Sequence, residues 1–334
     1  MIIARSPLRI SFFGGGTDFP EWYLDNSGEV ISTTIDKYTY VLLKRLPPFF
    51  NFKYRLRYFQ NEFTKSIHQI KHPTIKAILA DIHDDRSGLD ISHNSDLPAQ
   101  SGLGSSSAFT VALIQAMYSL NQKIISKYEL AEKATFIEQN ILNESVGSQD
   151  QFASSFGGFN SIKFRKNNRK IITPISISQK RMKKILDSSL LFFTGFSRNA
   201  NRIEKDKLKN LDKNSNLLSH INSITQEAKN ILYSDCSDNK MIHQISKLLD
   251  ETWKIKKNLS AKVSDSKIDH IFDTAKKNGA LSGKLLGAGG GGFVLFLTKN
   301  NKDRINLTKK FSKLKRVNFG FDTIGSQILY SKID

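Results

Sequence analysis

The chain has 334 residues, 39% of them hydrophobic and 24% charged, which is enough for a sizeable core in one large or two medium domains. Its 50 Lys and Arg against 31 Asp and Glu give a net charge of +19, a balance that attracts anions such as nucleic acid, acidic membrane or phosphorylated small molecules. No apolar run reaches the roughly 18 residues of a membrane span, and the single cysteine, Cys236, excludes an internal disulfide and reads as an inert thiol.

The N-terminus "MIIARSPLRISFFGGG" carries Arg5 and Pro7 where a signal peptide needs an unbroken apolar core, so it reads as a cytoplasmic, structural start. The first 60 residues predict strands. "ISTTIDKYTYVLLKRL" is rich in β-branched and aromatic residues, "FKYRLRYF" alternates basic and apolar, and "PPFF" at Pro47 to Phe50 is the turn between them. His68 and His72 have helical spacing, but Pro73 follows and no acidic partner completes a zinc site, so both read as surface residues. From Ser105 to about Asn121 the pattern predicts a buried helix. A second helix starts at Ser126, with Glu129 placed for a capping box and a face through Leu130, Ala134, Ile137 and Ile141.

"LLFFT" at Leu190 to Thr194 predicts a short buried strand. A lysine-rich region from about Ser197 to Asn278 has few glycines and no proline and predicts helices, ending at the Asn278-Gly279 stop. "LSGKLLGAGGGGFVLFL" follows as a glycine loop feeding an apolar strand, and "RVNFGFDTIGSQIL" alternates again. The order is α+β, without regular strand–helix alternation, and divides near Leu190 into residues 1–188 and 189–334. The basic runs Lys163 to Lys170, Gln179 to Lys184 and Lys299 to Arg316 interleave no aromatics as a single-strand nucleic-acid platform would, and read as solvated faces.

Three glycine loops carry the chemistry: "SFFGGGTDF" (Ser11 to Phe19), "QSGLGSSSA" (Gln100 to Ala108) and "LLGAGGGGF" (Leu285 to Phe293). None is a P-loop, since "GALSGKL" is one residue short with Leu after the Lys. "GAGGGG" has Rossmann spacing but follows a predicted helix and enters a strand, the reverse of the fingerprint. The second loop has the right context for an anion. Gly102 and Gly104 permit close backbone approach, and Ser105, Ser106 and Ser107 fall in the first turn of a helix whose free N–H groups favour a phosphate. Serine hydroxyls also suit magnesium. That segment alone does not choose between a phosphate cradle and an ordinary capped turn. Glu138 on the next helix and Asp150 in "ESVGSQDQF" add the carboxylates that a metal-nucleotide transfer needs, and Arg9 is a cation able to keep Asp150 ionised.

Together the three loops, in this order and at these separations, resemble the GHMP kinase superfamily over nearly the whole chain. The resemblance implies an N-terminal domain like ribosomal protein S5 domain 2, a ferredoxin-like C-terminal domain, and ATP with Mg2+. It implies the triphosphate along Ser101, Gly102, Leu103, Gly104, Ser105, Ser106 and Ser107. The metal would lie on Ser106 (with Ser105 as alternative) and Glu138, with Asp150 as proton acceptor paired to Arg9. Substrate contacts would come from Gly15, Gly16, Thr17, Asp18, Gly289 and Gly290.

The sugar-kinase motif "GEHTD" reads "GGGTD" here, with Gly15 and Gly16 at the Glu and His positions, which argues against galactose. "RSPLRISFFGGGTDFPEWY" with "GSQDQFASSFGGFN" resembles the branch that phosphorylates the anomeric hydroxyl of D-glycero-D-manno-heptose 7-phosphate, on the route to GDP-heptose for surface polysaccharide. A fucokinase-like activity is the nearest alternative. A basic nucleic-acid-binding protein of S5-like fold is a more distant one and leaves Glu138, Asp150 and the loops unused. The expected partners are ATP and a phosphosugar, with no nucleic acid and no membrane; a homodimer stays open. The sugar's own phosphate has unranked candidates in Arg5, Lys53, Arg55, Arg57, Arg198 and Arg202.

Overall fold

The computed structural model describes residues 1–84, 87–196, 200–211 and 213–333. β1 (Ile2–Phe13) and β2 (Gly28–Leu46) form a long antiparallel pair joined through α1 (Pro20–Asn26). β2 then pairs twice. Gly28–Thr33 runs against β6 (Phe159–Phe164), and Thr39–Leu46 runs against β5 (Gly88–Ser95). β3 (Tyr54–Arg57) lies parallel to β5 and antiparallel to β4 (Asn61–Thr64), and β7 (Lys170–Pro174) closes on β6. The last strand of the chain, β12 (Gln327–Ser331), returns to pair with β1.

The second sheet starts at β8 (Ser189–Phe193) and is antiparallel throughout, in the order β11 (Lys315–Val317), β8, β10 (Phe293–Thr298), β9 (Ala280–Leu285). The third glycine loop therefore joins two strands, β9 and β10. It does not follow a helix directly, though the sequence predicts one there: "ALSGKL" is a strand whose side chains are nearly all buried, and α10 ends before it.

α3 (Ser105–Leu120) is apolar around most of its surface and lies largely buried on β1 and β2. α2 (Pro73–Ile82) and α4 (Lys127–Phe136) pack beside it, and Ile78, Met117 and Leu130 share one core with the sheet's Ile2 and Val41. The Ser126–Glu129 capping box is present. Past Phe136 the helix widens into a π turn, Ile137–Ile141, which buries Ile137 and leaves Ile141 40% exposed. α5 (Gln149–Phe156) and α6 (Gln179–Ser188) complete the first half.

The lysine-rich region resolves into α7 (Ala200–Lys209), α8 (Ser215–Tyr233), α9 (Asp238–Asn258) and α10 (Ser266–Lys277), followed after β10 by α11 (Asn301–Lys310). α8 packs on β1 and β2 and α9 on β9, so one apolar core, containing Leu8, Phe152, Ile221, Met241 and Phe293, runs through both halves. No helix among the described residues is long and apolar enough to cross a membrane. His72 is not a plain surface residue. It is the N-cap of α2, its Nδ1 accepting from the Ile75 N–H at 3.4 Å, and its ring sits between Tyr58 and Phe109.

Candidate active site

The three glycine loops meet at one cavity of about 360 Å³. The loops can approach because they lack side chains. A Cβ on Gly102 (φ +88°) would lie 2.5 Å from the Leu286 carbonyl oxygen, and one on Gly287 would lie 2.5 Å from the Gly102 Cα. The second loop is thus wedged against the third, and the Phe293 N–H donates to the Ser101 carbonyl at 2.9 Å.

Gly104, at φ +73°, is the N-cap of α3 and has no side chain to satisfy the helix's first N–H groups. Gly102, Gly104, Ser105, Ser106 and Ser107 line the cavity at that end. An uncapped helix start beside a cavity has the N–H groups and dipole to hold an anion. Ser101 and Leu103 do not line it. Ser101 donates from Oγ to the Pro98 carbonyl at 2.6 Å, and the Leu103 carbonyl accepts from the Arg9 N–H at 3.0 Å; these two residues hold the loop's shape.

Arg9, buried on β1, forks onto Asp150 in the first turn of α5. Its Nε donates to Oδ1 at 2.7 Å and its Nη2 to Oδ2 at 2.6 Å, while Nη1 donates to the Gly102 carbonyl at 2.5 Å. Gln149 donates to Asp150 Oδ1 at 3.0 Å and accepts from Ser11 Oγ at 2.7 Å. The Asp150 carboxylate is therefore fixed on one edge by a bidentate guanidinium, and Oδ2 accepts from no group but Arg9 among the described residues. A Cβ on Gly104 would lie 3.2 Å from that Oδ2, so the glycine also sets how close the carboxylate comes to the helix start.

Glu138 lies deeper, 1% exposed, and does not line the cavity. Its Oε1 accepts from Thr110 Oγ1 at 2.6 Å, and its Oε2 accepts from Ser107 Oγ at 2.8 Å and Gln151 Nε2 at 2.5 Å. Burial pushes its carboxyl up to about 7, against the pull of those three donors. The donors near the helix start are all oxygen, as a hard divalent cation requires. The Ser106 hydroxyl is exposed to the cavity, and Glu138 stands one side chain behind, through Ser107. Among the described residues no cluster of three His, Cys, Asp or Glu forms a metal cage, so a cation here would also need ligand oxygens.

In the first loop, Gly15, Gly16 and Asp18 line the cavity. Asp18 Oδ1 accepts from the Gly16 N–H at 2.9 Å, and burial pushes its carboxyl up to about 6. Thr17 points inward, its Oγ1 donating to the carbonyls of Gly14 and Glu29. In the third loop it is Gly287 and Ala288 that line the cavity. Gly290 instead donates its N–H to the Val263 carbonyl at 2.8 Å, and a Cβ on Gly289 would meet Val263 at 2.9 Å.

Of the phosphate candidates, Arg5 donates to Gln327 and stacks on Tyr38, while Arg55 and Arg57 pair with the buried Asp90. Lys53 and Arg202 do not line the cavity, and Arg198 lies outside the described residues. Among the described residues the cations that line it are Arg9, Lys207, Lys256 and Lys284. Lys284 stands in "SGKLL" just before the third loop, a position that could have drawn notice; Lys207 and Lys256 sit among many other lysines with nothing to mark them.

Lys284 Nζ donates to the carbonyls of Ser11 (3.0 Å) and Phe12 (2.9 Å), and Lys256 Nζ to those of Leu285 (2.9 Å) and Gly287 (2.5 Å). Burial, then the charge of Arg9, pushes Lys284 down to about 7. Burial, then the charges of Lys207 and Lys284, holds Lys256 well below the usual lysine range.

Two family models match the chain: the GHMP kinases N terminal domain over residues 69–158 and the GHMP kinases C terminal domain over residues 235–316. The chain is 32% identical to the D-glycero-alpha-D-manno-heptose 7-phosphate kinase of Campylobacter jejuni, over 93% of each chain. It is 24% identical to the bifunctional fucokinase/GDP-fucose pyrophosphorylase of Arabidopsis thaliana, over 92% of this chain and 31% of that one. In structure it matches a D-glycero-D-manno-heptose 1-phosphate kinase from Bacteroides thetaiotaomicron with a TM-score of 0.80 at 22% identity, covering 99% of this chain and all of that one, a likeness of fold.

Proposed function

The chain belongs to the GHMP kinases and is an ATP-dependent kinase, and on that premise we propose that it transfers the γ-phosphoryl group of ATP to the anomeric hydroxyl of D-glycero-D-manno-heptose 7-phosphate. The observation that carries the reading is the meeting, in one cavity, of an uncapped serine helix start and a carboxylate gripped by Arg9. The first can hold a triphosphate by backbone N–H groups and dipole, and the second can receive a hydroxyl proton. The 32% identity to a heptose 7-phosphate kinase supports the choice of sugar, as does the room left by Gly15 and Gly16.

In this reading residues 1–188 hold the nucleotide and residues 189–334 cover it, with β12 tying the end of the chain back to β1. The triphosphate lies along Gly102 to Ser107, and the first-turn N–H groups stabilise charge on the phosphoryl oxygens. Asp150 Oδ2 orients and accepts the anomeric hydroxyl proton. Arg9 fixes the Asp150 carboxylate by its bidentate grip and holds the loop through the Gly102 carbonyl. Asp18 receives a sugar hydroxyl. Ser106, with Glu138 behind Ser107, would hold a divalent cation, which when bound neutralises charge on the triphosphate.

The test is Asp150→Asn with the heptose 7-phosphate as substrate. Removing a proton acceptor costs about 10²- to 10⁴-fold in kcat, with the KM for ATP little changed. Turnover near wild type would end the role given to Asp150. A wild-type enzyme that turns over free L-fucose as well as the heptose 7-phosphate would favour the fucokinase-like alternative, to which the Arabidopsis relative also points.

A further inference from the structure

Two lysines are buried in the cavity wall without a counter-ion. Lys256 is 7% and Lys284 3% exposed, and no carboxylate among the described residues pairs with either ammonium. Each gives two of its three N–H donors to backbone carbonyls and keeps one. Lys207 joins them from α7. It donates to the Ala288 carbonyl at 2.7 Å and to Glu204 at 3.2 Å, with its side chain 13% exposed.

Carbonyls position an ammonium but do not neutralise it. A buried charge without an opposite charge is costly unless a ligand supplies one. All three lysines come from the second half of the chain, whereas the triphosphate-type site at the α3 start is built in the first half from backbone N–H groups and serines and needs no lysine. Lys284 is tied to Ser11 and Phe12, the residues that lead into the Gly15–Asp18 loop, and the carboxylate of Asp18 acts on it electrostatically. For Lys284 the missing counter-ion therefore belongs beside the sugar loop, and Lys256 faces the same cavity from the Gly287 side, where the third loop abuts Gly102.

We propose that Lys207, Lys256 and Lys284 form the site for the phosphate monoester that the sugar substrate already carries, and so set the preference for a phosphorylated over a free sugar. This rests on the reading of the chain as a phosphosugar kinase. A dianionic monoester would take the three remaining N–H groups and supply the charge that Lys256 and Lys284 lack.

The experiment uses the full chain and the variants Lys207→Gln and Lys256→Met. With D-glycero-D-manno-heptose 7-phosphate, each variant is expected to raise the KM for the sugar phosphate by about 10- to 100-fold, the range for losing a charged hydrogen bond. The preference for phosphorylated over free heptose should fall by a similar factor while the KM for ATP holds. A rise in the KM for ATP with the sugar KM unmoved would give the lysines to the triphosphate and overturn the proposal. A fall in kcat alone would make them loop braces and overturn it equally.

If the wild-type enzyme does not turn over the heptose phosphate, the substrate reading fails by itself and the anion site is judged on a second arm. Inorganic phosphate is titrated into protein saturated with a non-hydrolysable ATP analogue, and the melting temperature is followed. A phosphate-dependent rise in wild type that disappears in both variants supports the site. No rise in wild type, or the same rise in the variants, overturns it.

Discussion

Replacing Lys284 by Met should change how stability depends on pH, with a sign fixed by the burial of the ammonium. Lys284 titrates at about 7 in the folded protein against 10.5 for a free lysine. Between those values the unfolded chain binds a proton that the folded chain does not, so wild-type stability rises with pH, by at most about 1.4 kcal/mol per pH unit for this group. Between pH 7.5 and 9.5 the wild type should gain on the order of 2–3 kcal/mol relative to Lys284→Met. Lys256 is depressed by the same burial and adds slope of the same sign, so the comparison is between the two proteins and not with zero. The carbonyls of Ser11 and Phe12 lose their donor in the variant, but that loss shifts its whole curve and leaves the slope alone. Urea unfolding at several pH values measures the difference. Parallel curves would refute the argument that an uncompensated ammonium is buried there. Saturating inorganic phosphate should flatten the wild-type slope, because a bound anion restores the charged form.

Gly102→Ala places a Cβ 2.5 Å from the Leu286 carbonyl oxygen at φ +88°, where only backbone can give way. It should lower stability by about 2–4 kcal/mol and raise the KM for ATP, read by thermal melting and steady-state kinetics; a neutral result would mean that the second and third loops are not wedged together. Asp18→Asn removes a carboxyl that burial lifts from 3.8 to about 6. Between those values the folded protein holds a proton that the unfolded chain has lost, so ionising Asp18 costs stability as pH rises. At pH 7.5 the variant should be more stable than wild type by up to about 3 kcal/mol and bind the sugar poorly, checked by denaturation at pH 4 and 7.5 and by the sugar KM.

Much of the second glycine loop and the helix start after it was legible in the chain because its determinants are local. Gly102 and Gly104 allow a turn that few other residues permit, the apolar run from Ser105 predicts a buried helix, and Ser126 with Glu129 mark the next helix start. Arg9 and Asp150 stand in recognisable motifs, yet the bidentate grip is made across 141 residues by β1 and α5. Thr17, Ser101, Leu103, Gly289 and Gly290 stand inside the same motifs but turn to backbone or core, since a loop needs some of its residues to hold itself. The strand before the third loop was hidden because "ALSGKL" is short and mixes a lysine and a glycine into its apolar run. Only pairing with β10 shows that this lysine points into a buried wall.

By itself, then, the order of residues determined the three glycine loops, the serine-bearing helix start and the α+β class, because turn chemistry and hydrophobic periodicity act over a few neighbours. Which charges share one cavity was decided by the tertiary structure. Lys207 on α7, Lys256 on α9 and Lys284 on β9 are three lysines in a chain of many, and they differ from the others only in being brought out of water together beside Asp18 and Arg9. Burial and proximity give a charge its chemical meaning, and neither is a property of a residue's neighbours in sequence.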